Sequence, residues 1–290
     1  MNNKGTLRKL IGVDFTSNVI SLRGRQFHYI EAGSGFPIVL LHGLNIGVGQ
    51  WYKNISVLSR HYRVIAIDFI NSGSSQKVPY AKVNFNTDYT LAFQDFISYL
   101  DLQYFHLMGH SLGGWLAIKF VLLNPKSVSK LVLIDAMGFT KFVPLKMKPI
   151  SIKVFASFIS QVIQKVTFEN INSFLASVMH DQSKVEFDLS RYYFESLQGN
   201  FVPHPLMLMN LLSEKGSIKK DFLLDRDFYK IIQKVLIVWG DHDKLFPLRK
   251  VKKNFELIKY SQAIVLPDSG HVPFIEQSKL FNDSIIGFLK

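Results

Sequence analysis

The chain has 290 residues, 48% of them hydrophobic and 13% aromatic. That excludes a disordered polymer, and no run approaches the ~18 apolar residues of a membrane-crossing helix. Cys is absent, so disulfides, thiolate metal sites and cysteine nucleophiles are excluded together. The net charge of +12 is dispersed as +5, +1, +2 and +4 over residues 1–60, 61–137, 138–225 and 226–290, which speaks against a nucleic-acid surface.

Val19–Leu22 and Gln26–Glu31 flank Arg23-Gly24-Arg25, a hairpin signal, so the sheet is expected to open with antiparallel strands. Ile38–Leu41, Arg63–Ile67, Phe105–Met108, Lys130–Ile134, Lys234–Val238 and Ala263–Leu266 follow. Each is short and rich in Val, Ile or Leu, as parallel strands covered on both faces should be. Helical patterns lie between them. Tyr89, Phe93, Phe96 and Leu100 share one helix face, with Thr87 as the expected cap. Leu112–Leu123 is apolar nearly all round, hence a buried helix, and Asn124-Pro125 stops it. Phe274–Leu289 reads as one amphipathic helix, with Phe274, Leu280, Phe281, Ile285 and Phe288 toward the core. The expected fold is α/β: an eight-stranded, mostly parallel sheet with helices on both faces.

Residues 138–225 break the alternation. They carry Phe-rich helical patterns, among them Val154–Val166 and Ile171–Met179. Pro203 and Pro205 bracket a turn, and Ser213–Lys220 reads as a loop. We expect a core of residues 1–137 and 226–290 with 138–225 inserted as a helical unit. The basic run Arg249, Lys250, Lys252 and Lys253 reads as a solvated helix face, and peripheral contact with acidic headgroups is compatible with it. Met1–Leu10 forms no secretory apolar segment, so a cytoplasmic protein is the expectation.

Gly109-His110-Ser111-Leu112-Gly113 lies between a strand and the buried helix, the context of a nucleophile elbow. A serine exposed on so sharp a turn needs small residues two positions away on either side, and Gly109 and Gly113 supply them. The helix start beneath Ser111 favours developing negative charge, and the Leu112 N–H becomes one oxyanion donor. A serine needs a base. Among nine histidines, His271 follows the last strand at the carboxyl edge of the sheet, where the elbow also opens. His242 is its rival. For the acid, Asp243 after the strand Lys234–Val238 is preferred over Asp241, with Asp135 a second choice at the same edge. Leu41-His42-Gly43-Leu44 follows the third strand. Gly43 permits a tight turn, the Leu44 N–H is the expected second oxyanion donor, and His42 braces the loop.

With these motifs in this order the chain resembles the α/β-hydrolase superfamily, in its capped serine esterase/lipase and C–C hydrolase branch. The resemblance spans nearly the whole chain. It implies that Asp243 is the acid of a Ser111–His271–Asp243 triad and that 138–225 caps the site. Two stretches depart from the family pattern. Asn71 stands where a Gly is common, and Leu44-Asn45-Ile46-Gly47 has neither the Gly-rich form of lipases nor the Gly-Pro-Gly form of C–C hydrolases. Asn tolerates the left-handed conformation, so the turn at Asn71 can survive. A Ser at the elbow, in place of Asp, argues against epoxide hydrolases and haloalkane dehalogenases.

The expected function is hydrolysis of a carboxylic ester of a small, largely apolar substrate through an acyl-enzyme, with no metal or other cofactor. Phe155, Phe158, Phe174 and Met207 are the expected acyl-pocket residues. Three alternatives stand beside it: a C–C bond hydrolase, a perhydrolase, and a near-inactive hydrolase-like protein that binds a signalling ligand.

Overall fold

A computed structural model describes residues 4–79, 82–145, 148, 151, 166–198 and 212–290. Eight strands form one sheet: β1 (Thr16–Leu22), β2 (Arg25–Ala32), β3 (Pro37–Leu41), β4 (Arg63–Ile67), β5 (Phe105–His110), β6 (Val128–Ile134), β9 (Lys234–Gly240) and β10 (Ser261–Leu266). Their order is β1-β2-β4-β3-β5-β6-β9-β10. The β1–β2 and β2–β4 pairs are antiparallel, and every pair from β4 to β10 is parallel.

The apolar runs are continuous because both faces are covered. Val39 and Leu41 point into one layer, with Phe93, Trp115, Phe120 and Trp239. Ile38 and Leu40 point into the other, with Trp51, Tyr192 and Phe274. The first layer holds α3 (Ala92–Tyr99) and α4 (Leu112–Leu123). The second holds α1 (Lys4–Ile11), α2 (Tyr52–Leu58), α8 (Pro273–Glu276) and α9 (Ser278–Leu289). The family's turn survives at Asn71, whose φ is 67° and whose Oδ1 accepts from Val78 N at 2.7 Å.

Between β6 and β9 the described chain forms α5 (Phe168–Val178) and α6 (Phe187–Ser196). Ile171, Leu175 and Tyr193 from these helices join the second layer, whereas Leu212, Ile218 and Phe222 join the first. The two ends of this stretch meet, since Leu224 N donates to Gly138 O at 3.1 Å. Most of the expected helix Val154–Val166, and the Pro203–Pro205 turn, lie outside the described residues.

Four local expectations are corrected. Ser213–Lys220 contains a small hairpin, β7 (Ser213–Glu214) with β8 (Ser217–Ile218), turned by Lys215-Gly216 at φ 49° and 77°. Thr87 is not the cap of the Tyr89 helix. Asn84 Oδ1 accepts from the backbone N–H of Asn86 (2.9 Å) and Thr87 (3.1 Å), and a wide π-type turn over Asn86–Leu91 leads into α3. The C-terminal helix is two. Gln277, at φ −122° and ψ 45°, breaks it between α8 and α9. Within α9 the buried residues are Phe281, Asn282, Ile285 and Leu289, and Leu280 stands on the opposite side of the helix, 46% exposed instead of core-facing. The basic run is exposed as expected, on α7 (Leu248–Val251) and the 3₁₀ turn after it.

Candidate active site

The carboxyl ends of five neighbouring strands converge on one place. The register aligns them: Leu41 with Gly109, His110 with Ile134, Ile134 with Val238, and Leu266 with Gly240. The next residues of each chain segment are His42–Leu44, Ser111, Asp135, Asp241–Asp243 and the turn to His271.

Ser111 sits at φ 52° and ψ −116°, a conformation non-glycine residues seldom adopt. Its N–H donates to Ile134 O and its carbonyl accepts from Met137 and Trp115 N–H, so the turn is held from both sides. A Cβ at Gly109 would run into the carbonyl of Gly113, and one at Gly113 into the carbonyl of Leu41. The glycines are therefore what lets the α4 N-terminus close on the sheet.

His271 Nδ1 lies 2.9 Å from Asp243 Oδ2, both side chains buried. Asp243 Oδ1 accepts from the N–H groups of Leu245 (2.7 Å) and Phe246 (3.0 Å). Burial alone would raise the Asp243 carboxyl; the His271 ring first, then the Phe246 N–H and the Asp135 side chain, outweigh it and hold the acid below the usual range. The rival His242 is half-exposed and faces away, its ring stacked on His180 at 4.0 Å. Asp241 is also set aside, because its Oδ1 accepts from Ser269 N at 3.1 Å.

His110, beside the serine in sequence, is engaged with the backbone of the base. Its Nε2–H donates to His271 O at 2.8 Å, which fixes the tautomer and braces the His271 backbone. His42 braces its loop as expected: its Nδ1–H donates to Gly43 O, and its Nε2 accepts from Phe69 N at 3.0 Å. Sequence reasoning missed Glu276. Its Oε1 accepts from His180 N (2.7 Å) and Asp181 N (3.0 Å), and its Oε2 from Gly270 N (2.6 Å). It ties the turn after α5 to the His271 loop, reinforced by His271 N to Val178 O at 2.8 Å. No local pattern in the sequence marks it, because its three partners come together only in the fold.

Ser111 and His271 open on a mostly apolar cavity that is partly open to solvent. Leu44, Leu112 and Phe174 line it, with Ile46, Met137, Leu175, Leu212, Ile218 and Phe246; its polar lining is Gln50, His110, Ser111, His271 and backbone. Among the described lining residues none is Lys, Arg, Asp or Glu. Phe155, Phe158 and Met207 lie outside the described residues.

Two His/carboxylate groups among the described residues come within metal-ligating reach of one another. In His180, His242 and Asp268 the two rings are stacked 14° from parallel. Their lone pairs therefore run side by side and do not converge on one ion. In Asp135, Asp243 and His271 the His271–Asp243 hydrogen bond already occupies the ligand atoms that would face the metal.

Burial lowers the proton affinity of His42, His106 and His110. For His106 it reaches about 4, against about 6.5 in an unfolded chain. A depressed folded value contributes stability above the unfolded pKa that is lost as pH falls toward the folded one. The stability difference between the native protein and His106→Gln should therefore shrink from pH 7 to pH 4.5 in thermal melts. A difference independent of pH would show that His106 is not carried neutral.

The family model described as the alpha/beta hydrolase fold matches residues 37–278. The chain is a member of the α/β-hydrolase family. It is 25% identical over 283 residues to the 2-hydroxy-6-oxo-6-(2'-aminophenyl)hexa-2,4-dienoic acid hydrolase of Metapseudomonas resinovorans, covering 95% of this chain and 91% of the relative. It is 26% identical over 270 residues to the 2-hydroxy-6-oxo-6-phenylhexa-2,4-dienoate hydrolase of Comamonas testosteroni, covering 91% of each. Among solved structures, a meta-cleavage product hydrolase from Pseudomonas fluorescens matches with TM-score 0.76 at 25% identity, covering 94% of this chain and 97% of the other. A Bacillus subtilis carboxylesterase matches with TM-score 0.77 at 22% identity, covering 99% and 95%, a likeness of fold. The chain is thus an α/β-fold hydrolase for a small molecule, and no helix among the described residues is long and apolar enough to cross a membrane.

Proposed function

We propose that this hydrolase separates a carbonyl carbon from its leaving group with Ser111 as nucleophile, His271 as general base and Asp243 as its orienting acid. The observation that carries this is the strained Ser111 turn opening, beside the Asp243-bound His271, on one apolar cavity. His271 takes the hydroxyl proton as Ser111 attacks. The N–H groups of Leu44 and Leu112 receive the oxyanion, each such donor contributing ~3 kcal/mol to the transition state. His271 then hands the proton to the departing atom, and water releases the acyl group. Residues 138–225 act as the cap: Phe174 and Leu175 wall the cavity from one side, Leu212 and Ile218 from the other.

We place a carbon leaving group first, because the named relatives spanning more than nine-tenths of this chain are C–C hydrolases of dienoates. The ester expected from the sequence becomes the second reading. It is favoured by the cavity wall, whose described residues offer no cation to a substrate carboxylate. Two assays separate them. A 6-aryl-6-oxo-dienoate loses its conjugated chromophore on C–C cleavage, and a p-nitrophenyl ester releases nitrophenolate. Dienoate turnover supports the first reading; efficient ester turnover with an inert dienoate overturns it in favour of the second.

In either reading Phe174 limits the acyl group. Each buried CH₂ contributes ~0.8 kcal/mol, so kcat/KM should rise about threefold to fourfold per added carbon until the cavity is full. Phe174→Ala should move that optimum to longer chains and leave labelling of Ser111 by a small fluorophosphonate unaltered in rate. An unmoved optimum would assign size selection to the loop around Leu44.

A further inference from the structure

Asp135, the other acid at this sheet edge, has a use the triad does not assign. Its side chain is wholly buried, and its backbone is held at φ 41°, a conformation that costs a non-glycine residue energy. The strain is imposed by its surroundings: Asp135 N donates to Val238 O, and two residues on Met137 N donates to Ser111 O. One carboxyl oxygen, Oδ1, accepts from Gly240 N at 3.0 Å. The other, Oδ2, has no donor among the described residues. An ionised carboxylate oxygen left so in the interior is costly.

Next to it is an oxygen with room for a donor. A carboxylate accepts about four hydrogen bonds. From the described residues Asp243 receives three: Leu245 and Phe246 N–H on Oδ1, and His271 on Oδ2. One carboxyl oxygen of Asp135, one of Asp243 and a ring nitrogen of His271 all lie within 4.8 Å of one another. Two ionised carboxylates at that separation repel, so one of them holds a proton. Asp243 is bound to the imidazole and to two N–H donors, all of which favour its charged form. The proton therefore falls to Asp135.

We propose that Asp135 is a carboxylic acid whose O–H donates to Asp243, filling its last acceptor site and making Asp135 a positioning residue for the acid–base pair. The proposal rests on the triad reading above and extends it from Ser–His–Asp to a fourth member. The charged or titratable groups around it are Asp243 on the loop after β9, His271 on the loop after β10, and Glu276 on α8. The His110 ring at the end of β5 lies against His271 at 4.8 Å between centroids. Burial first, then the charge of Asp243, raises the Asp135 carboxyl well above the usual range, in keeping with this geometry.

The test uses infrared difference spectroscopy and the pH profile of fluorophosphonate labelling on the whole protein. At pH 7 the native protein should show a protonated-carboxyl C=O band that disappears in Asp135→Asn; Glu276 is common to both and cancels. Absence of that band overturns the proposal, and does so whether or not Ser111 is ever labelled. Asp135→Ala removes the donor and leaves Asp243 a stronger partner for the imidazolium. The acid limb of the labelling profile should then move up by roughly half a unit to one unit. Asp135→Asn can keep both bonds, its amide oxygen on Gly240 N–H and its NH₂ on Asp243, and should bring the limb back. If Asp135→Asn instead moves the limb down by about one unit, Asp135 was ionised and the proposal fails. Should the Ala variant not fold, the Asn limb and the infrared band decide the matter. A chain that never labels would overturn the triad while the band still reports on Asp135.

Discussion

Replacing Ser111 by Ala is expected to lower kcat by ~10⁴-fold or more, and to abolish fluorophosphonate labelling, in a protein that stays folded. The size of the effect follows from what the substitution removes and what it leaves. In the proposed mechanism the hydroxyl is the attacking atom, so covalent catalysis stops altogether. The proposed oxyanion donors, the Leu44 and Leu112 N–H groups, and the cavity remain, so substrate should still be held and residual hydrolysis by water should persist. Folding should survive, because the bonds that fix the elbow are backbone bonds: Ser111 N to Ile134 O, and Met137 N and Trp115 N to Ser111 O. Ala at φ 52° carries the same strain as Ser. Active-site labelling, circular dichroism and turnover on the better of the two substrate classes check all three statements. Full activity in folded Ser111→Ala would mean that another group attacks the carbonyl.

The parallel core was legible because each strand is buried on both faces and writes itself as a short apolar run, as at Ile38–Leu41, where alternate residues enter different layers. The elbow was legible because close approach leaves glycine no substitute at 109 and 113. Other features depend on information that no local pattern carries. Gln277 divides the last helical stretch into α8 and α9, and no Gly or Pro stands there to announce the break. Glu276 looks like one more polar residue near a helix end. Its three partners come from residues 180, 181 and 270, which only the tertiary fold brings together. The choice between Asp135 and Asp243 belongs to the same class. Both follow strands that end side by side, Ile134 level with Val238, so either acid reaches the same space. The difference lies in the turn after Gly240, which carries Asp243 round to the Nδ1 side of the imidazole.

That difference sets the second large effect. Asp243→Asn should reduce kcat/KM by roughly 10³–10⁴-fold, and Asp135→Asn by far less. An amide at 243 would meet two demands it cannot satisfy together. Leu245 and Phe246 N–H require an acceptor at Oδ1, so the amide oxygen takes that place and the NH₂ group takes the place of Oδ2. The NH₂ then faces His271 Nδ1 as a donor, and the ring must present a lone pair there. The proton moves to Nε2, the nitrogen that has to accept from Ser111, and the base is in the wrong tautomer. Loss of the negative charge also removes the stabilisation of the imidazolium. None of this follows at 135, where an amide can keep an acceptor toward Gly240 N–H and a donor toward Asp243. Steady-state kinetics on both variants, with melting curves to show that each is folded, give the comparison. If Asp135→Asn is the more damaging, the acid that orients His271 stands at the end of β6 and the geometry has been read the wrong way round.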